Sequence, residues 1–175
     1  MNIAIDIGHA DGTGARGNGL EEHAQSAITA DYLEADLRRR GHTVTIIDFP
    51  ERGNRPDLNA TIAAINAGNY DLAISLHMDA SDNPAARGAH VCYRSERGEN
   101  FAREVAATVC PLLPGRSEHT VRRTDLAILN RTTCPAILVE LGFITNADDC
   151  NIVIYNRAPL ATAIGAGIDN ACRKS

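Results

Sequence analysis

Tryptophan is absent from the 175 residues, and three phenylalanines and four tyrosines are the only benzenoid rings. There is no evident platform on which bases or sugar rings could stack. Positive charge is also in short supply: 17 Lys and Arg stand against 22 Asp and Glu, a net charge of −5, which leaves no basic face for nucleic acid. No run of about 18 apolar residues occurs, so no membrane-crossing helix is expected. The chain runs straight into a strand, with no basic segment followed by an apolar one, and the expectation is synthesis in the cytoplasm without a signal peptide. The five cysteines (Cys92, Cys110, Cys134, Cys150, Cys172) include no CxxC or other knuckle spacing, which argues for reduced, mostly structural thiols.

What is present is ordinary for a globular protein: 44% hydrophobic and 22% charged residues, with no linker-like run and no internal repeat. One domain over residues 1–175, a monomer, is the expectation.

The informative stretch is Ile3 to Glu22, IAIDIGHADGTGARGNGLEE. An apolar strand runs out at Gly8-His9, and a core has no need of an imidazole there. A loop follows that holds four of the fourteen glycines, Gly12, Gly14, Gly17 and Gly19, and its backbone can turn tightly and admit close neighbours. The loop ends on two glutamates at a helix start. Glu22, Ser26, Ala30, Leu33 and Leu37 share one helical face whose aliphatic members should point at the core, whereas Glu21 is turned about 100° away. Glu22 is therefore the carboxylate directed inward, although either glutamate would suit the first turn of a helix on electrostatic grounds alone.

Further along, the first helix is expected to end near Arg40 with Gly41 as terminator, and His42 to Asp48 alternates as a second strand. Pro56 to Ala67 has helical spacing, and Tyr70 to His77 is a third strand that again ends in a histidine. Helices and strands alternating at this period predict a parallel sheet, in which ligands gather beyond the carboxyl ends of the strands. A strand is expected over Gly88–Arg94, a helix over Asn100–Leu113, a loop over Ser117–Thr124 and a short strand over Leu126–Leu129. CPAILVEL, Cys134 to Leu141, is the most apolar strand, and Glu140 stands at its carboxyl end. Asn146 should cap a short helix through Val153, and Ala158–Cys172 should form the last helix.

Singly, His9 or His77 is more simply a hydrogen-bonded strand-end residue than a metal ligand. Together, two imidazoles and the Glu22 carboxylate on one sheet edge match the three-ligand set of a catalytic zinc site, with Glu140 suited to act as base. His23, His42 and His90 do not share that edge and are expected to be structural or surface residues, and His119 falls in the loop.

Four motifs in order, the strand ending in IGH, GNGLEE before a helix, SLHMDAS after the third strand, and PAILVELGFITN, resemble the zinc-dependent N-acetylmuramoyl-L-alanine amidases of type 3, found in autolysins, spore-wall enzymes and phage endolysins. The resemblance runs from Ile3 to about Asp149. It implies an α/β three-layer sandwich with a mostly parallel sheet of about six strands, zinc on His9, Glu22 and His77, Glu140 as catalytic residue, and peptidoglycan as substrate. The bond cut would join the lactyl group of N-acetylmuramic acid to L-alanine. Two positions depart from the family pattern: Ala10 where glycine is usual after the first histidine, and Asp79 where asparagine is usual after the second. Rival readings are another zinc peptidase or deacylase on the same site, a non-catalytic wall-binding domain, and an α/β domain with incidental histidines.

Overall fold

The computed structural model describes residues 1–174. Strand β1 (Asn2–Ile7) leads through a two-residue hairpin, β2 (Arg16–Gly17) and β3 (Leu20–Glu21), into helix α1 (Glu22–Arg39). There follow β4 (Thr43–Ile47), a 3-10 turn at Pro50–Arg52, α2 (Asn54–Ala67), β5 (Leu72–Asp79), β6 (His90–Tyr93), α3 (Glu96–Val109), β7 (Thr120–Arg122), α4 (Ala127–Arg131), β8 (Ala136–Phe143), α5 (Ala147–Tyr155) and α6 (Arg157–Arg173). The main sheet has the order β4-β1-β5-β8-β6-β7, parallel throughout except where β6 pairs antiparallel with β8. This is the mostly parallel sheet that the alternating pattern predicts, with the six strands and the helices on both faces that the resemblance implies.

Strand alternation divides the core in two. Ile3, Ile5, Leu72, Ile74, Leu76, Ile137 and Val139 face α1, α3 and α6, meeting Leu33, Leu37, Val105, Ile164 and Ile168, all fully buried. Ala4, Ala73, Ala136 and Leu138 face the opposite way and meet Ile62 and Ile65 of α2 and Ile128 and Leu129 of α4. Each large aliphatic chain so buried contributes about 1.5–3 kcal/mol of transfer free energy. The stripe Glu22, Ser26, Ala30, Leu33 and Leu37 is buried along its whole length, at most 2% exposed, so the face assigned to α1 from spacing is the one that packs.

Those two layers position the site. After β1 the chain crosses one face as α1 to reach β4, then returns over the other face as α2 to reach β5 on the far side of β1. The connections diverge at β1 and β5, and a crevice opens between their carboxyl ends, the usual place for a ligand in such sheets.

Some elements differ from expectation. Helix α3 begins at Glu96 rather than Asn100 and ends at Val109, because Ser95 caps it, its side chain accepting from Gly98 N at 3.1 Å. The segment Leu126–Leu129 is not a strand: extended Leu126 precedes the short helix α4, and the strand lies earlier, at Thr120–Arg122, inside the expected loop. Helix α2 starts at Asn54, two residues ahead of Pro56. Asn146 does cap α5, accepting from Asp149 N at 3.1 Å.

Candidate metal centre

His9 leaves the end of β1 in a left-handed backbone conformation (φ 66), uncommon for a side chain other than asparagine or glycine and characteristic of functional turns. Its Nδ1 lies 3.1 Å from Asn54 Oδ1 at the start of α2, and its Nε2 3.2 Å from Glu22 Oε2. His77, near the end of β5, presents Nδ1 to Glu22 Oε1 at 2.9 Å. The two rings meet edge to face, centroids 5.0 Å apart. Glu22 is held by backbone as well: Ala15 N donates to Oε2 at 2.7 Å and Met78 N to Oε1 at 3.2 Å.

The ambiguity between the glutamates is resolved by what each one touches. Glu21 belongs to β3, where its Oε1 accepts from Gly12 N at 2.6 Å and ties down the glycine-rich loop. Glu22 is 2% exposed and stands between the imidazoles.

Burial alone would raise the Glu22 carboxyl, but hydrogen bonding to His77 and His9 holds it well below the usual carboxylate range. The Glu22 carboxylate thus stands between two imidazole nitrogens, close enough for all three groups to share one cation. Burial lowers the proton affinity of His77 and the hydrogen bond with Glu22 raises it, with a net upward shift. One ligand atom from each of His9, Glu22 and His77 lies within 4.8 Å of the others. The surroundings are shaped around these groups. A Cβ on Gly14 would come within 2.9 Å of Glu22 Oε2 and of the His9 ring, and one on Gly8 would lie 2.3 Å from His77. Two imidazoles and a carboxylate are a donor set suited to zinc.

Glu140 sits beside this group through the sheet. His77 and Glu140 are register partners on β5 and β8, and on its other side Glu140 pairs with His90 of β6. Register partners project from the same face, so one row carries His77, Glu140 and His90. Immediately beyond, the β5/β8 register slips, Asp79 pairing with Phe143, with Gly142 at φ 74. This bulge ends regular pairing at the lip of the crevice. Glu140 Oε2 is buried without a hydrogen-bond partner, and burial pushes the carboxyl up to about 7, with His77 opposing and Asp79 and Glu22 adding to the shift.

His90, expected to be merely structural, is 8% exposed and lies with Asp79 and Glu140 in a second close group, their ligand atoms within 4.8 Å. Burial, aided by Arg116, brings its pKa down to about 4, so it is neutral at neutral pH. The β6 strand was legible, but its antiparallel pairing with β8 was not, and that pairing places His90 next to Glu140. His23 and His42 fit the simpler reading: His23 pairs with Asp48 at 3.2 Å and His42 with Asp169 at 3.1 Å.

Asp79, the less expected residue after the second histidine motif, is ion-paired to Arg116, which also donates to Gly88 O at 3.0 Å and lies 4.4 Å above the Phe143 ring. Its charge is thus compensated beside Glu140. Arg116, Phe143, His90, Arg87 and Ala86 line an open groove of ≈ 520 Å³ bordering this row. A larger hollow of ≈ 720 Å³, lined by Met1, Asp71, Phe101 and Cys172, lies at the amino-terminal ends of the strands, away from the ligand set.

The sequence model of the N-acetylmuramoyl-L-alanine amidase family matches residues 3–170. Protein YqiI of Bacillus subtilis (strain 168) is 28% identical over 96% of this chain and 83% of its own length. The N-acetylmuramoyl-L-alanine amidase LytC of the same organism is 27% identical over 85% of this chain, which spans 30% of LytC. Among solved structures, the catalytic domain of the CD27L endolysin targeting Clostridia difficile aligns with a TM-score of 0.89 at 29% identity, covering 97% of each chain. Ami1 from Mycobacterium smegmatis shares the fold, with a TM-score of 0.88 at 22% identity over 100% of this chain and 98% of Ami1.

Proposed function

The chain belongs to the N-acetylmuramoyl-L-alanine amidase family, and from that premise we propose that it hydrolyses the amide joining the lactyl group of N-acetylmuramic acid to L-alanine in peptidoglycan, with one zinc ion on His9, Glu22 and His77. The observation that carries this reading is the convergence of those three donors one strand away from a buried, unpartnered Glu140 oxygen in the same register row as His77.

The division of labour follows from the geometry. Zinc, when bound, supplies Lewis-acid polarisation of the amide carbonyl and acidifies water. Glu140 accepts the proton as water oxygen attacks the carbonyl carbon, and its raised proton affinity suits a group that must hold that proton until it is delivered. As the carbon–nitrogen bond breaks, Glu140 returns the proton to the departing L-alanine nitrogen, leaving a lactyl acid on the glycan and a free amino terminus on the stem peptide. Asn54 holds the His9 ring, and Ala15 and Met78 hold Glu22, so neither ligand is free to turn away from the centre. Arg116 neutralises Asp79 so that Glu140 does not face an uncompensated second carboxylate from the β5 end.

The biological setting we propose is lysis or remodelling of a bacterial wall, as an endolysin or an autolysin catalytic domain. Among the described residues no helix is long and apolar enough to cross a membrane.

Digestion of purified peptidoglycan with zinc present and with zinc chelated, read by mass spectrometry, tests the reading. Zinc-dependent stem peptides with free L-alanine amino termini are expected. Cuts elsewhere in the peptide would instead make this a zinc peptidase, and no cut by folded, zinc-loaded protein on several wall types would favour a binding domain.

A further inference from the structure

Behind His77, on the side away from Glu22, two polar residues are buried in strands otherwise apolar. Ser75 is 1% exposed and Asp6 is 5% exposed. They are register partners on β5 and β1, and His77 follows Ser75 by two residues on the same face. Ser75 Oγ donates to Asp6 Oδ2 at 2.5 Å, and His77 Nε2 lies 3.1 Å from Ser75 Oγ.

A serine hydroxyl has one hydrogen. With Asp6 ionised and that hydrogen given to it, Ser75 Oγ meets His77 Nε2 as acceptor, and Nε2 carries a hydrogen. The neutral ring then has its lone pair on Nδ1, the nitrogen that faces Glu22 at 2.9 Å. His9 is fixed in the opposite sense: Asn54 Oδ1, an acceptor in the orientation shown, takes the Nδ1 hydrogen and leaves the Nε2 lone pair toward Glu22. The two lone pairs thus converge from different ring positions on opposite oxygens of one carboxylate.

We infer that Asp6 and Ser75 are positioning residues which set the His77 tautomer, so that the metal is bound through Nδ1 of His77 and Nε2 of His9. This rests on the metal-site assignment above. Carboxylate partners behind ligating histidines change metal affinity by roughly 10–100-fold when removed. Here a hydroxyl relays the carboxylate, because Asp6 lies one strand away from His77 and cannot be reached from it by way of its own strand.

The measurement uses zinc alone as probe. In zinc-loaded, unaltered protein, two-bond proton–nitrogen correlations should show His77 ligated at Nδ1 with a proton on Nε2, and His9 ligated at Nε2 with a proton on Nδ1. Ligation of His77 through Nε2 overturns the inference. Competition with a chromophoric chelator should then show zinc binding weakened about 10–100-fold in Ser75→Ala. Ser75→Thr, which keeps the hydroxyl and can place its methyl in the adjoining ≈ 100 Å³ cavity, should bind within a few-fold of the parent. Equal affinity in Ser75→Ala and the parent would overturn the inference, as would equal weakening in both variants. Failure of the parent itself to bind one equivalent of zinc would instead overturn the metal-site assignment.

Discussion

His77 and Glu140 occupy the same register position on neighbouring parallel strands, so the proposed ligand and the proposed base are separated by a single interstrand step. Their roles should nonetheless separate cleanly. Glu140→Ala is expected to retain stoichiometric zinc and lose about 10²–10⁴-fold in turnover, the usual worth of a positioned general base. His77→Ala should lose both zinc and turnover. Metal analysis alongside release of stem peptides checks this, and an active Glu140→Ala protein would remove Glu140 from the mechanism.

Asp79 and Arg116 form a pair in which Arg116 should matter only while Asp79 keeps its charge. Arg116→Met leaves Asp79 uncompensated near Glu140 and should lower turnover, whereas Asp79→Asn alone should change it little. The double variant should recover much of the loss, with a coupling in the ~0.5–3 kcal/mol range common for contacting residues. Strict additivity in a double-mutant cycle would show that Arg116 acts only by holding Gly88 and Phe143.

Two glycines of the first loop share a backbone conformation and differ in surroundings. Gly12 (φ 72) has nothing within 4 Å of a built Cβ, whereas at Gly14 (φ 82) that atom would press on Glu22 and His9 at 2.9 Å. Gly12→Ala should cost about 1–2 kcal/mol of stability, the price of a left-handed alanine, with zinc affinity intact. Gly14→Ala should carry the same backbone cost and weaken zinc as well. Thermal melts and chelator competition on the two variants distinguish strain from intrusion.

Asp57, 3% exposed at the start of α2, has its pKa raised by burial to about 6; the Phe49 N–H opposes this, Asp6 and Asp48 add to it, and His23 opposes it. The folded state therefore holds this proton more tightly than the unfolded chain. Its contribution to stability is fully present below about pH 4, near the unfolded value, and is lost as pH rises through about 6. Asp57→Asn should raise the melting temperature at pH 7.5, and the gain should vanish at pH 4. A gain independent of pH would point to packing rather than ionisation.

The convergence of His9, Glu22 and His77 was legible because strands that stop at histidines and a helix face headed by glutamate are one-dimensional signals. Glu140 was legible for a similar reason, as a charge ending an apolar strand. The antiparallel direction of β6 was not, since four residues carry no mark of polarity, and with it went the adjacency of His90 to Glu140. The start of α3 was obscured by ERGEN, whose charges and glycine resemble a loop until Ser95 is seen to cap them. Leu126–Leu129 misled because four apolar residues suit a strand or a buried helical turn equally. Asp6 and Ser75 did leave a trace: each interrupts an apolar strand on the face that carries the histidine.

The strand order has a bearing on biosynthesis. Strand β8, late in the chain, is inserted between β5 and β6, while the three proposed ligands are all present by residue 77. His9, Glu22 and His77 thus leave the ribosome well before Glu140, which joins them only when β8 enters the middle of the sheet. Because β8 pairs with the strand that carries His77 and α6 packs on the helix that carries Glu22, the frame that gathers the three side chains is itself complete only near the end of synthesis, and a chain cut short before β8 should lack the whole site rather than Glu140 alone.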